Sequence, residues 1–228
     1  PGMQASIKGV KTEFESGNPY SREDGDNDLN FYQKPRMLSH LDTQAQAELE
    51  GLYGQLLTKS NRILDLMSSW QSHIPQNLDT SKVVGLGMNS EELRLNPRLD
   101  QSLVHDLNQN PELPFEDEKF DAVICSLSIE YLLQPIKVLQ EARRILVPGG
   151  LLLITFSNRW FPPKVIRIWT ELQEFERTGM VMQWLKEVSG FRSLETSSLR
   201  ELPRPWDDRH RKLSPFSDPI YAVWGYKT

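Results

Sequence analysis

The chain is expected to fold as a doubly wound α/β protein, with a mostly parallel seven-stranded sheet and an antiparallel last strand. Three observations carry this expectation. Short runs rich in Val, Ile and Leu alternate with stretches of helical periodicity between residues 43 and 190, the pattern of successive βα units. The run over residues 151–156 is apolar except for Thr155, which suits a strand covered on both faces. The last two runs, residues 192–202 and 220–226, have no helical stretch between them, so they are expected to pair antiparallel.

Residues 1–30 are rich in Gly, Asn, Asp, Ser and Glu and read as a flexible N-terminal arm preceding a single domain over 31–228. Asp24, Asp26 and Asp28 alternate as in a calcium loop. The pattern fails, because Leu29 stands where the turn glycine belongs and Pro35 where the bidentate Glu belongs. Asp42 is placed to cap a helix over 43–57, whose Ala45, Leu49, Leu52, Tyr53 and Leu56 share one face. Strands follow over 63–67 and 82–88. Asn89, with Glu92 three residues on, reads as a capping pair opening a short helix. Further strands are expected over 102–105 and 122–126. Pro135 opens a helix with an apolar face of Ile136, Leu139, Ala142 and Ile145. Pro162-Pro163 is expected to start a helix through Ile166, Trp169 and Leu172. Another carries Val181, Trp184, Leu185 and Val188 and stops at Gly190.

Composition narrows the function classes. The net charge of −5 argues against electrostatic binding of nucleic acid and of an anionic membrane surface. No apolar run approaches the ~18 residues that span a bilayer, and the first thirty residues lack the apolar core of a signal peptide. The single cysteine, Cys125, lies in an expected buried strand, and there is no Asn-x-Ser/Thr site. Both fit a reducing, cytoplasmic setting. His40, His73, His105 and His210 lack metal-ligand spacing, so no metal is expected.

The stretch over residues 103–150 carries the most information. A short strand ends at Asp106, the loop Leu113-Pro114-Phe115 follows, a buried strand starts at Phe120-Asp121, and Pro148-Gly149-Gly150 turns the chain into the next strand. This order resembles the class I S-adenosylmethionine (SAM)-dependent methyltransferases, the small-molecule type in particular. Phe31-Tyr32-x-x-Pro35-Arg36, Ser39-His40-Leu41-Asp42, Ser72-His73-x-Pro75, the run from Gly85 to Leu93 and Phe156-Ser157-Asn158-Arg159 resemble a divergent subgroup of that superfamily. The resemblance implies a Rossmann-like methyltransferase fold, SAM as cofactor and S-adenosylhomocysteine (SAH) as product.

Ligands of doubly wound sheets sit at the carboxyl ends of the strands, and the resemblance assigns residues there. Asp65, Met67, Ser68 and Ser69 occupy the loop where the family has acid-x-Gly-x-Gly. The glycines are missing, so the loop either takes a divergent path to the cofactor or has lost it. Gly87 stands where the family places an acid for the ribose. Met88 could pack on adenine, and Asn89 either binds a ribose hydroxyl or only caps its helix. Asp106 matches the acid that accepts from the adenine amino group, with Leu107 and Asn108 beside it. Ser126 and Leu127 lie where relatives line the methyl end. Glu130 and Tyr131 either face the substrate as catalytic groups or begin a helix.

Methyl transfer demands mainly positioning and exclusion of water. His40 is the candidate base, against the alternative of a surface or capping histidine. Arg36, Asn158 and Arg159 are candidates for the acceptor pocket, and Arg36 could instead bind the carboxylate of SAM, in either case bidentately. The link over 203–219 holds Arg204, Trp206, Arg209, His210, Arg211 and Lys212. It reads as a solvated loop or as a cover for an anionic group or partner. The expected activity is SAM-dependent methylation of a small-molecule acceptor. Three alternatives stand beside it: a catalytically inactive SAM- or SAH-binding protein, a nicotinamide-dependent oxidoreductase suggested by Gly85-x-Gly87, and a protein methyltransferase docking through the basic link.

Overall fold

A computed structural model describes residues 17–57 and 62–228. Seven strands form one sheet in the order β3-β2-β1-β4-β5-β7-β6. They are β1 (Arg62–Leu66), β2 (Lys82–Gly87), β3 (Gln101–Val104), β4 (Phe120–Ser126), β5 (Leu146–Phe156), β6 (Phe191–Leu199) and β7 (Ile220–Lys227). β1 to β5 pair parallel, and β7 runs antiparallel to both β5 and β6. The expected α/β class and the antiparallel last strand are therefore both present. Strand order reverses between β1 and β4, which is where a doubly wound sheet opens a crevice at its carboxyl edge.

The helices are α1 (Asp28–Tyr32), α2 (Thr43–Leu56), α3 (Ser90–Leu95), α4 (Pro135–Ile145), α5 (Arg167–Glu171) and α6 (Glu174–Val188). Asp42 caps α2 through the amides of Gln44 and Ala45, as the pattern predicts. Alternate side chains of the strands feed two cores. Leu64, Val123 and Leu152 face the layer that holds α4, α5 and α6. Ile63, Ile124 and Leu153 face α2 through Ala45, Leu49 and Tyr53.

Four expectations need correction. The helix foreseen from Pro162 is only α5. Ile166 is extended (φ −67°, ψ 144°) and gives its amide to the Glu130 carbonyl. Leu172 is extended in turn, and Gln173 then opens α6 with a capping box to Glu176. Asn89 caps α3, but the Glu92 carboxylate does not return to it. It accepts instead from the Arg36 amide and the Ser69 hydroxyl. β5 starts at Leu146, five residues before the expected strand, with Gly149 at φ +78° inside it.

The fourth concerns the N-terminal arm. Residues 1–16 lie outside the described residues, but the part from residue 17 onward is packed. Amides of Arg167 and Ile168 bond the carbonyls of Ser21 and Pro19, and the Asp24 amide bonds that of Pro163. Lys164, fully buried, sits 2.9 Å from Asp24 and 3.2 Å from Asp28. Arg22 pairs with Asp28 at 2.9 Å. The alternating acids Asp24 and Asp28 are thus partners of a buried lysine, whose burial would be costly without them.

Candidate functional site

A cleft of about 1130 Å³ opens at the carboxyl ends of the strands around the β1/β4 switch. Asp65, Met67, Ser68 and Ser69 line it from β1, and Gly87, Met88 and Asn89 from β2. Asp106, Leu107 and Asn108 come from the loop after β3, and Ser126 and Leu127 from β4. Every residue expected at the cofactor therefore borders one space.

The glycine-poor loop after β1 has a definite path. Met67, at the place of the family's first loop glycine, adopts φ +58°. That left-handed conformation normally costs a side chain about 1 kcal/mol or more. It turns the chain so that the Ser68 amide bonds the Leu86 carbonyl at 2.8 Å, and the Ser68 carbonyl then covers Gly87. A Cβ at Gly87 would lie 2.1 Å from that oxygen, so no acid can stand there. The missing loop glycines and the missing acid are two sides of one arrangement. His73 and Leu127 also line the cleft at positive φ, 55° and 53°.

Beneath this loop Asp65 is buried. Its Oδ2 accepts from the hydroxyls of Ser68 and Ser72, each at 2.6 Å. Asn96 donates to the Ser72 Oγ and the Ser69 carbonyl, each at 2.8 Å. Burial pushes the Asp65 carboxyl up to about 7 despite the two hydroxyls. Polar side chains thus do locally what glycine flexibility would otherwise do, holding a tight turn at the strand end.

Asp106 is half satisfied. Its Oδ1 accepts from the amides of Asn108 and Gln109, at 2.9 and 3.2 Å. Its Oδ2 is buried and has no partner among the described residues. A carboxylate oxygen in that state normally marks a missing donor, and the adenine amino group of SAM would supply one. On this ground the donor and acceptor set fits the cofactor. Asn108 joins the site to the N-terminal segment, giving its Nδ2 to Asp28 at 2.8 Å and to the Tyr131 carbonyl at 3.0 Å.

The rest of the cleft is aromatic. Phe161 packs edge-on against His40 (5.0 Å) and Phe31 (5.6 Å) and tilts against Tyr131 (6.1 Å). The Tyr131 hydroxyl accepts from the Phe161 amide at 2.9 Å. Burial lowers the His40 imidazole below its ordinary 6.5, against a raising effect of Glu92. His73, also in the cleft, is lowered to about 4 by burial and then by His40. Both rings are neutral at pH 7, the state in which an imidazole can accept a proton.

The catalytic and acceptor candidates divide. His40, Tyr131 and Arg36 line the cleft, while Glu130, Asn158 and Arg159 do not. Glu130 is fully buried with no partner on either carboxyl oxygen among the described residues, and burial raises it to about 8. Asn158 is exposed. Arg159 pairs with Asp218 at 2.9 Å. Tyr32, Glu92, His73 and Phe161 also border the cleft and were not foreseen. Tyr32, Glu92 and His73 lie inside the sequence blocks that carry the resemblance, which was the available signal.

The basic link is not a free loop. Arg204 is buried, with Asp218 at 2.7 Å, Asp208 at 3.1 Å and Asp42 at 3.4 Å, and it donates to the Phe216 carbonyl at 2.9 Å. Trp206 and Leu213 remain exposed. No described helix is long and apolar enough to cross a membrane, and no described cluster of His, Cys, Asp and Glu could hold a metal.

Comparison with known proteins agrees with this geometry. Residues 70–154 match the family described as Methyltransferase domain. The chain is 28% identical over 141 residues to malonyl-(acyl-carrier protein) O-methyltransferase from Marinomonas sp. (strain MWYL1), covering 53% of this chain and 52% of that one. The chain spans about half the length of the curated relatives it matches. A SAM-dependent methyltransferase of Thermotoga maritima, described as a possible histamine N-methyltransferase, superposes with a TM-score of 0.57 at 19% identity, over 81% of this chain and 89% of that one. The 4+2 cyclase SpnF superposes with 0.59 at 15% identity, over 86% and 90%. At such identities the superpositions speak for the fold alone, and a cyclase among them separates fold from activity. Together with the strand order, the superpositions give the chain the doubly wound fold seen in SAM-dependent methyltransferases, and residues 70–154 carry the match to a methyltransferase domain.

Proposed function

We propose that this protein transfers a methyl group from SAM to a small-molecule acceptor bound beside His40. The observation that carries the reading is the buried, unpartnered Oδ2 of Asp106 at the edge of the cleft. In this reading Asp106 and the Leu107 amide hold adenine, with Met88 against the ring. Glu92 faces the ribose in place of the absent acid, whereas Asn89 is spent on its cap, with Oδ1 accepting from the amides of Glu91 and Glu92 and Nδ2 donating to the carbonyls of Tyr32 and Gln33. The loop from Asp65 to Ser69 meets the methionyl part, and Ser126 and Leu127 border the methyl end. When bound, SAM supplies an electrophilic methyl carbon on a good leaving group.

The chain's own residues do the remaining work. Phe161, Tyr131 and Tyr32 exclude water and hold a flat acceptor. For an acceptor hydroxyl, the neutral His40 takes its proton as the oxygen lone pair forms the new bond to the methyl carbon. The nucleophile would meet the methyl carbon of a bound SAM with SAH as the leaving group, and His40 returns the proton to solvent. A deprotonated acceptor needs no base.

Calorimetric titration with SAM and SAH, with NADH as control, tests the cofactor. Micromolar binding of both sulfur ligands is expected. Binding of NADH alone would overturn the reading in favour of an oxidoreductase. A second reading, an inactive SAM- or SAH-binding protein, is favoured by Met67 in the place of a loop glycine and by Gly87 in the place of an acid. Binding of SAH without methylation of any compound in a metabolite panel would decide for it.

A further inference from the structure

We infer that the acceptor is a planar molecule carrying a carboxylate, and that Arg36 is the residue that receives it. This rests on the methyl-transfer reading for the word acceptor, but the anion site itself stands on separate observations.

Arg36 is the only lysine or arginine among the residues that border the cleft. Its guanidinium carbon lies 4.0 Å from the centre of the Phe31 ring, 5.6 Å from Phe161 and 6.0 Å from Tyr32. Such stacking holds a guanidinium flat without using its donors. One edge is anchored: Nη1 donates to the carbonyls of Phe31 and Lys34. The backbone is anchored as well, since the Arg36 amide donates to Glu92 Oε1 at 2.7 Å. No carboxylate lies within ion-pair distance of Arg36, and Nε and Nη2 have no partner among the described residues. Arg22, Arg144, Arg159 and Arg204 all spend their forks on Asp or Glu.

The acids in the cleft do not compete for this fork. Asp28 is taken by Arg22 and Lys164. Asp65 is taken by two serine hydroxyls. Glu92 is taken by an amide and the Ser69 hydroxyl. Asp106 is held by backbone amides of the loop after β3. A rigid guanidinium with two free donors recognises a carboxylate geometrically, through paired N–H···O bonds. Its neighbours explain the rest of the shape. Phe161 joins Arg36 to His40, so a flat ring on Phe161 can present one substituent to the guanidinium and another to the imidazole.

The test uses the intact chain and the three hydroxybenzoates, each matched with its hydroxybenzamide. Binding is measured calorimetrically with and without SAH. At least one hydroxybenzoate is expected to bind ten-fold or more tightly than its amide. Arg36→Met, which keeps the stacked stem and removes the charge, is expected to erase that preference while leaving SAH affinity unchanged. Equal binding of every acid and amide would overturn the proposal, as would a preference that survives in Arg36→Met. Because the probes are titrated in the absence of SAH too, loss of cofactor binding alone would count against the methyl-transfer reading and leave the anion site standing.

Discussion

Two polar clusters of the molecule differ in kind. The cleft contains Asp106 with an unpaired buried oxygen, Arg36 with an unpaired fork edge, and the neutral ring of His40. The cluster of Asp42, Arg204, Ser217 and Asp218 is saturated. The amides of Asp42 and Asp218 cross-bond the opposite carboxylates at 3.0 and 2.7 Å, Ser217 donates to Asp42, and Arg204 bridges both acids. Burial raises the Asp218 carboxyl, but Arg204 and Arg159 outweigh it and hold it below its ordinary value. A buried group with every donor and acceptor met fixes structure, whereas one left partly unmet waits for a ligand. Arg36 and Arg159 make the point within one residue type. Both look like acceptor ligands in the sequence, and Asp218 neutralises only one of them.

The comparison can be broken most directly at Arg204. Arg204→Met strands the carboxylates of Asp42 and Asp218, and should cost about 3–5 kcal/mol in urea unfolding. SAH affinity of the folded fraction should be unchanged; an equal loss of affinity would merge the two clusters into one site. Asp65→Asn comes next. A carboxyl raised from 3.8 to about 7 on folding binds a proton in the native state that the unfolded chain releases. Its contribution is complete below pH 3.8 and is lost as pH rises through about 7. Relative to Asp65→Asn, the native chain should therefore lose about 4 kcal/mol of stability between those limits. A pH-independent difference would show that Asp65 stays ionised.

The remaining two sharpen the roles inside the cleft. His40→Ala should lower kcat about 100-fold for a hydroxyl acceptor with SAM affinity intact, and the rate of the native enzyme should already be level by pH 7. Equal rates would leave His40 as a wall of the pocket. Asp106→Ala should weaken SAM binding by about 1–3 kcal/mol, measured calorimetrically, and should also cost about 1 kcal/mol in unfolding through the lost Oδ1 bonds to the amides of Asn108 and Gln109. Unchanged SAM affinity would remove Asp106 from the adenine.

Much of the scaffold was legible beforehand. The caps at Asp42 and Asn89, Pro135 at the start of α4 and the apolar second half of β5 are local signals, and each appears where its chemistry requires. The cofactor side was legible for a related reason. Its residues sit at strand ends, so finding the strands located Asp65, Gly87, Asp106 and Ser126 together. The acceptor side was legible only in part. His40, Arg36 and Tyr131 reach the cleft, but Glu130 turns into the interior. Asn158 stays exposed, and Phe161 gave no local sign of its place. These residues leave loops and short turns, where direction depends on what the chain packs against.

By itself the sequence determined the α/β layering, the antiparallel pairing of the last strand, and the set of residues at the strand ends. Periodicity, capping and turn chemistry act over a few residues and survive without tertiary context. Only the tertiary structure decided which polar groups are spent. Met67 in a left-handed turn brings the Ser68 carbonyl over Gly87 and accounts for the acid that is absent there. Asp24 and Asp28 become partners of buried Lys164, and Asp218 claims Arg159 and Arg204 from 203–219. Ion pairs and orphaned acceptors are made between segments distant along the chain, so their saturation is a property of the packed molecule.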